Sequence, residues 1–361
     1  MKHDFKEAIL YEKLNAGNVR CNLCEHRCLI LSAKGKPDRS VFPSLKRENL
    51  GFCGTRVNIE GKLYTLTYGK VTSLALDPVE KKPLYHFLPG ENLLSFGSFG
   101  CNFRCPNCHN WQISQISSLA RSKPPILSSV MDEFSEVMPA EIVNQALENG
   151  APGIAYTYNE PTVSIEYILE TMKIAKKAKL KNVWVTNGFF SDQAFELIAP
   201  YLDAANVDLK SFDQRFYHSH CKGKLSSVLL NLKRIKDFGI HLEISTLVIP
   251  RITGSEETFR GIASFIKNKL GKSVPWHLLD FSPEISWQMQ DWQETGEAEM
   301  KMAYAAGKRE GLQFVYANLL GMTDTVCPNC NEVNIKRRGY DITRLDENGG
   351  CFKCGQNLFI R

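Results

Sequence analysis

The chain has 361 residues, 44 Lys and Arg against 39 Asp and Glu, and a formal net charge of +5. The length exceeds one ordinary domain of about 150 residues but suits a single α/β barrel or open sheet with small additions; the near balance of charge, with no polybasic block, argues against nucleic acid as a partner. The opening MKHDFKEAIL lacks the apolar run of a secretory signal, and no stretch approaches the roughly 18 apolar residues that span a bilayer, so a cytoplasmic protein with no membrane partner is expected. Twelve cysteines in a reducing compartment predict metal thiolates rather than disulfides. Eleven of them fall into three clusters; Cys221 stands alone and reads as a small core hydrophobe.

The first cluster is Cys21, Cys24, Cys28 and Cys53, within CNLCEHRC and GFCGTR. Zinc and an iron–sulfur cluster both accept four cysteines, so the spacing leaves zinc or a second Fe–S cluster open. The neighbouring His26 reads as a loop residue. Next comes DPVEKKPLYHFLPG (77–90), charged and proline-bounded, which is read equally as a lid over the site that follows or as a linker.

NLLSFGSFG (92–100) predicts a strand that delivers GCNFRCPNCHN, the middle cluster of Cys101, Cys105 and Cys108. Three thiolates can hold three irons of a [4Fe–4S] cube and leave the fourth open. An open coordination position is where substrate binds, by the logic that separates catalytic from structural zinc. The alternative, a zinc knuckle suggested by the second CPNC at Cys327–Cys330, needs a partner knuckle, and every other CxxC has its own companions. His109 directly follows Cys108, and adjacent residues rarely share one tetrahedral ion.

From there short apolar runs alternate with amphipathic ones. GIAYTYNEP, NVWVTNG, AANVDLKSF, HLEISTLVIP, PWHLLDFSP and FVYANLL read as further strands; SIEYILETMKIAKKAKL, SDQAFELIAPYL, SSVLLNLKRIKDFG, EETFRGIASFIKNKL and EAEMKMAYAAGKREG read as helices. Seven strands joined by helical crossovers predict an α/β fold, a partial or complete (β/α) barrel over 91–321, with cysteine-rich segments at 1–90 and 322–361; the partial (β/α) barrel is the form implied by the resemblance given below. Polar residues recur at strand ends, where barrel chemistry gathers: Asn159 and Glu160, Thr186 and Asn187, Asp208 and Lys210, with His277 inside the sixth strand. Singly each has a plain structural explanation; together, facing the cysteine loop, they predict a site. The last cluster, Cys327, Cys330, Cys351 and Cys354, is two CxxC knuckles, the closed ligand set of a zinc ribbon that staples a segment too small for its own core. Its IKRRGYDITRL is a weaker candidate for touching a polyanion.

The CxxxCxxC of Cys101, Cys105 and Cys108 resembles that of the radical S-adenosylmethionine (SAM) superfamily. The strings DPVEKKPLYHFLPG, GCNFRCPNCHN, YTYNEPT, VTNGF, DLKSF and WHL resemble the AmmeMemoRadiSam-system radical SAM proteins, relatives of pyruvate formate-lyase activating enzyme. The resemblance covers most of the chain and implies a [4Fe–4S] cluster whose open iron chelates SAM, reductive cleavage to methionine and a 5′-deoxyadenosyl radical, and hydrogen abstraction from a protein or small molecule. It implies SAM contacts from Asn159, Glu160, Asn187, Asp208, Lys210 and His277, and a low-potential electron donor such as flavodoxin or ferredoxin. Asn107 departs from the pattern, which has an aromatic before the third cysteine; Phe103 or Trp111 would stand in. The rival class is a zinc-stapled scaffold or nucleic-acid-binding protein without redox catalysis.

Overall fold

A computed structural model describes residues 5–361. Its centre is one eight-stranded sheet: β1 (Ser73–Pro78), β2 (Asn92–Gly97), β3 (Gly153–Tyr156), β4 (Lys181–Thr186), β5 (Ala204–Asp208), β6 (His241–Val248), β7 (Trp276–Asp280) and β8 (Val315–Ala317). β2 to β8 are parallel and lie side by side in chain order. All seven expected strands are present. The sequence reading lacks β1, which pairs antiparallel with β2 and forms one edge, opposite β8. Because β1 and β8 stay unpaired with each other, the barrel is partial.

The crossovers carry α1 (Pro139–Glu148), α2 (Ile165–Lys177), α3 (Asp192–Ile198), α4 (Leu225–Asp237), α5 (Glu256–Phe265) and α6 (Glu297–Glu310). The five expected helices are all there; α1, which buries Ile142, Val143 and Ala146, is an addition. Ser191 and Ser255 cap α3 and α5 by accepting from the amides of Ala194 and Thr258. Strand alternation then sorts the two faces. Ile154, Tyr156, Trp184, Ala205 and Val207 join the core shared with the helices, while Leu93, Ala155, Val183 and Ala204 form a separate inner cluster.

That inner cluster is completed by Val79, Leu84 and Phe87. The stretch 77–90 is therefore a plug on the inner face of the sheet. It enters beside the start of β2, where Pro78 pairs with Asn92, and is anchored by Asn206 Nδ2 donating to the Pro83 carbonyl at 2.7 Å. The Tyr85 and His86 amides donate to Glu243 at 3.0 and 2.8 Å.

The N-terminal segment forms two three-stranded antiparallel sheets and shares the main core through Val19, Leu23, Ile30 and Leu63. A buried bidentate pair, Arg56 to Glu166 at 2.7 and 2.8 Å, ties it to α2. The C-terminal strands Thr325–Val326, Val333–Arg338 and Asp341–Arg344 pack beside β8, with Cys327, Cys351 and Leu358 against Phe314 and Tyr316. Arg337 in this ribbon is buried, donating to Thr323, Thr325 and the Tyr85 carbonyl, so this side chain of IKRRGYDITRL serves the fold. Among the described residues no helix is long and apolar enough to cross a membrane.

Candidate active site

A cavity of about 890 Å³ opens at the C-terminal ends of the strands and runs down to the plug. Cys101, Cys105 and Cys108 line it with Asn159, Glu160, Asn187, Asp208, Lys210 and His277. Every residue expected at the middle site thus borders one space, of a size within the range of about 300–1,000 Å³ common for ligand pockets.

The triad loop is held from both sides. Gly97 ends β2 where a Cβ would lie 2.7 Å from the Thr157 carbonyl, so only glycine lets the strand and the following turn meet. Asn159 spans the gap: its Oδ1 accepts from the Ser98 amide at 3.1 Å and its Nδ2 donates to the Gly100 carbonyl at 2.9 Å. This residue braces the cluster loop. Tyr158 before it adopts φ +67°, an uncommon conformation for a non-glycine residue, and its hydroxyl donates to Asp77 at 2.6 Å.

Glu160 is buried, and its carboxylate collects donors from two strand ends. The Thr162 amide and hydroxyl and the Thr186 hydroxyl serve Oε1; the Asn187 amide serves Oε2 at 2.8 Å. Burial pushes its pKa up from the usual carboxylate value, against the pull of those donors. Asn187 in turn donates to Asn102 at 2.7 Å and lies 3.8 Å from the Cys101 sulfur. The Thr-Asn-Gly turn needs its glycine because Gly188 sits at φ +72° with Val207 and Val228 against it.

Across the cavity Lys210 Nζ contacts Asp208 at 2.8 Å. Burial opposes the ammonium charge, but Asp208 and the thiols of Cys105 and Cys221 hold its pKa well above the ordinary lysine value. His277 borders the cavity with its Nε2 2.7 Å from Glu243, and its ring stacks on Tyr316. Phe103 lines the cavity, wedged against Phe189 and a notch that Gly223 leaves open. Trp111 lies outside the cavity lining, and Asn107 within it contacts His220 Nε2 at 2.8 Å.

Several contributors escaped the sequence reading. Cys221 is fully buried outside the cavity lining, and its carbonyl accepts from the amide of Arg104, the residue before Cys105, at 3.0 Å. Asp77 holds Lys81, Lys82 and Tyr158 at the plug end of the cavity, and Tyr340 of the ribbon is also part of the cavity lining. A spacing-based reading had no signal for Cys221, Tyr340 or the Asp77–Tyr158 contact, which join distant parts of the chain, whereas Lys81 and Lys82 lie only four and five residues from Asp77.

Three thiols line the cavity with a carboxylate and an ammonium, and no fourth cysteine is among its lining residues, which is the number of thiolates that leaves one iron of a four-iron cube without a protein ligand. The radical SAM superfamily matches residues 96–265, from the end of β2 through α5. The chain belongs to the radical SAM superfamily. A protein of Methanocaldococcus jannaschii of unassigned function is 37% identical across 98% of this chain and 99% of its own. Pyruvate formate-lyase-activating enzyme of Clostridium pasteurianum is 23% identical over 185 residues, 50% of this chain and 73% of that protein. A radical SAM methyltransferase structure from Sphaerobacter thermophilus aligns with a TM-score of 0.46 at 12% identity, over 64% of this chain and 67% of that one. Membership in this superfamily implies a [4Fe–4S] cluster and SAM.

The C-terminal quartet is the one group of three or more His, Cys, Asp or Glu side chains among the described residues whose ligand atoms all lie within 4.8 Å of one another. Cys327 to Cys354 and Cys330 to Cys351 sulfur distances are both 3.6 Å. A tetrahedron with metal–sulfur bonds of about 2.3 Å has edges near 3.8 Å, so the group is sized for a single ion.

Proposed function

We propose that this chain is a radical SAM enzyme that takes a hydrogen atom from a protein or small-molecule substrate, with Cys101, Cys105 and Cys108 as the cluster ligands. When bound, the cluster and SAM supply a 5′-deoxyadenosyl radical as the abstracting species. The observation that carries this reading is the convergence of the three thiols, Glu160 and Lys210 on one cavity.

The protein's own groups have distinct tasks. Asn159 fixes the cluster loop through two backbone contacts. Glu160, held still by its donors, presents negative charge suited to the SAM ammonium, and Lys210, steadied by Asp208, presents positive charge suited to the SAM carboxylate. Tyr158, Tyr85, Tyr316 and Tyr340 wall the plug end, where a substrate would sit shielded from water. The name of the Clostridium relative suggests activation of a glycyl radical enzyme as one such reaction. Zinc is the ion proposed for the ribbon, and a low-potential one-electron carrier such as flavodoxin or ferredoxin is the proposed donor.

Anaerobic reconstitution, reduction and measurement of 5′-deoxyadenosine test the reading, with Cys105→Ala beside the wild type. Production by the wild type and its loss in the variant is the expected result. Equal production by both would remove Cys105, and with it the triad, from the proposed role.

A further inference from the structure

The N-terminal quartet is enclosed by the fold yet spaced unlike the ribbon. Cys21, Cys24 and Cys53 are buried and Cys28 is half-buried. The Cys21 amide donates to the Cys28 carbonyl at 2.9 Å and the Arg27 amide to the Cys24 carbonyl at 3.0 Å, so the 21–28 loop folds back on itself. The Phe52 amide donates to Cys28 at 3.4 Å and the Thr55 hydroxyl to Cys53 at 3.1 Å, so the 21–28 loop and the 53 turn face each other. Nonetheless, among the described residues only the ribbon brings its sulfurs within 4.8 Å of one another. Neither the N-terminal four nor Cys101, Cys105 and Cys108 meet that limit, and a four-iron cube holds its thiolates farther apart than a single ion does.

A second observation points to the same ligand. Arg56, fully buried beside Cys21 and Cys53, has an Nε with no hydrogen-bond partner among the described residues. A buried donor of this kind needs an acceptor, and a cluster offers sulfide as well as thiolate sulfur where a zinc ion offers thiolate alone.

The quartet also abuts the triad loop. A Cβ on Gly100 would lie 2.8 Å from the Cys53 carbonyl. The Arg104 guanidinium donates to the Cys101 carbonyl at 2.9 Å and also to the carbonyl of Phe52, next to Cys53. His26, between Cys24 and Cys28, bonds the Asn102 carbonyl at 2.7 Å.

We propose that Cys21, Cys24, Cys28 and Cys53 hold a second, fully ligated [4Fe–4S] cluster that relays single electrons to the open one. The relay rests on the function proposed above; the cluster itself does not. A low-potential one-electron carrier reduces the second cluster, which returns to its oxidised state as the open cluster gains that electron.

Two measurements test this on the full chain. The triple variant Cys101→Ala, Cys105→Ala, Cys108→Ala, purified anaerobically, is expected to keep about four irons and four sulfides per chain with a reduced-cluster EPR signal that SAM does not alter. Zinc in place of that iron, or neither metal at the quartet, overturns the second cluster. Cys28→Ser, with ribbon zinc retained as proof of folding, is expected to lose 5′-deoxyadenosine formation roughly tenfold or more when a flavodoxin or ferredoxin is the reductant. With a small chemical reductant its rate should stay within about twofold of wild type. Equal rates with the protein donor, or equal losses with both reductants, overturn the relay. Because the first readout needs no SAM cleavage, it separates failure of this proposal from failure of the enzymatic one.

Discussion

Glu160→Gln isolates the charge at the proposed SAM ammonium site from the shape of the turn that carries it. The native carboxylate serves three donors at Oε1 and the buried Asn187 amide at Oε2. If the glutamine oxygen stays with the three donors, its NH₂ faces the Asn187 N–H, donor against donor. One buried N–H is then unpaired, a cost of about 1–3 kcal/mol. The reverse orientation strands more donors and costs more. Folding stability should therefore fall by about 1–3 kcal/mol in a urea melt. The functional loss is separate: a hydrogen bond to a charged partner is worth about 1.5–3 kcal/mol, which is about a 10- to 150-fold weaker SAM affinity. Calorimetric titration of SAM into anaerobically reconstituted protein reads that number, with Glu160→Asp as the variant that retains charge. A Glu160→Gln protein that melts earlier as expected but binds SAM within about twofold of wild type would refute the reasoning and leave Glu160 as a turn residue only.

Cys330→Ser should remove one zinc per chain and raise amide exchange in β8, since the ribbon's Cys327, Cys351 and Leu358 pack on Phe314 and Tyr316; unchanged zinc by elemental analysis would exclude the site. His86, fully buried between the Leu358 carbonyl and the Tyr316 hydroxyl, has its pKa pushed down to about 3 by burial, with Glu243 raising it and Arg337 and His241 lowering it. The unfolded chain takes up the proton near pH 6.5 and the folded chain does not, so stability is lost as pH falls, by up to about 1.4 kcal/mol per unit below that value. Thermal melts between about pH 5 and pH 6.5 should show a shallower slope for His86→Gln; equal slopes would show that His86 is not the group responsible.

The superfamily and its chemistry were legible because they reside in local patterns. CxxxCxxC sets its cysteines four and three positions apart, and each strand announces itself by its own apolar run, so the triad proposed to hold the cluster and all seven parallel strands followed without knowledge of any contact. The strand-end polar residues were legible for the same reason, since a parallel barrel brings the ends of its strands together. Their individual partners were not. Asn159 turned out to clamp the backbone of the cluster loop, and His277 to face Glu243, because hydrogen bonding is decided by residues tens of positions away. The stretch 77–90 could be read as lid or linker from its charges and prolines; only its spacing from the inner sheet face shows that Val79, Leu84 and Phe87 fill the barrel while Asp77 and Lys82 reach the cavity.

Composition and spacing by themselves determined that this chain carries three clusters of cysteines and a (β/α) sheet among them, with one cluster a cysteine short of four. Tertiary structure alone decided that Cys221 is buried outside the cavity, that Tyr340 of the ribbon lines it, and that the loops of the N-terminal quartet touch the triad loop through Gly100, Arg104 and His26. The division is physical: cysteine spacing is a property of neighbouring residues in the chain, whereas burial, the approach of one loop to another and the lining of a cavity exist only once distant segments share a core.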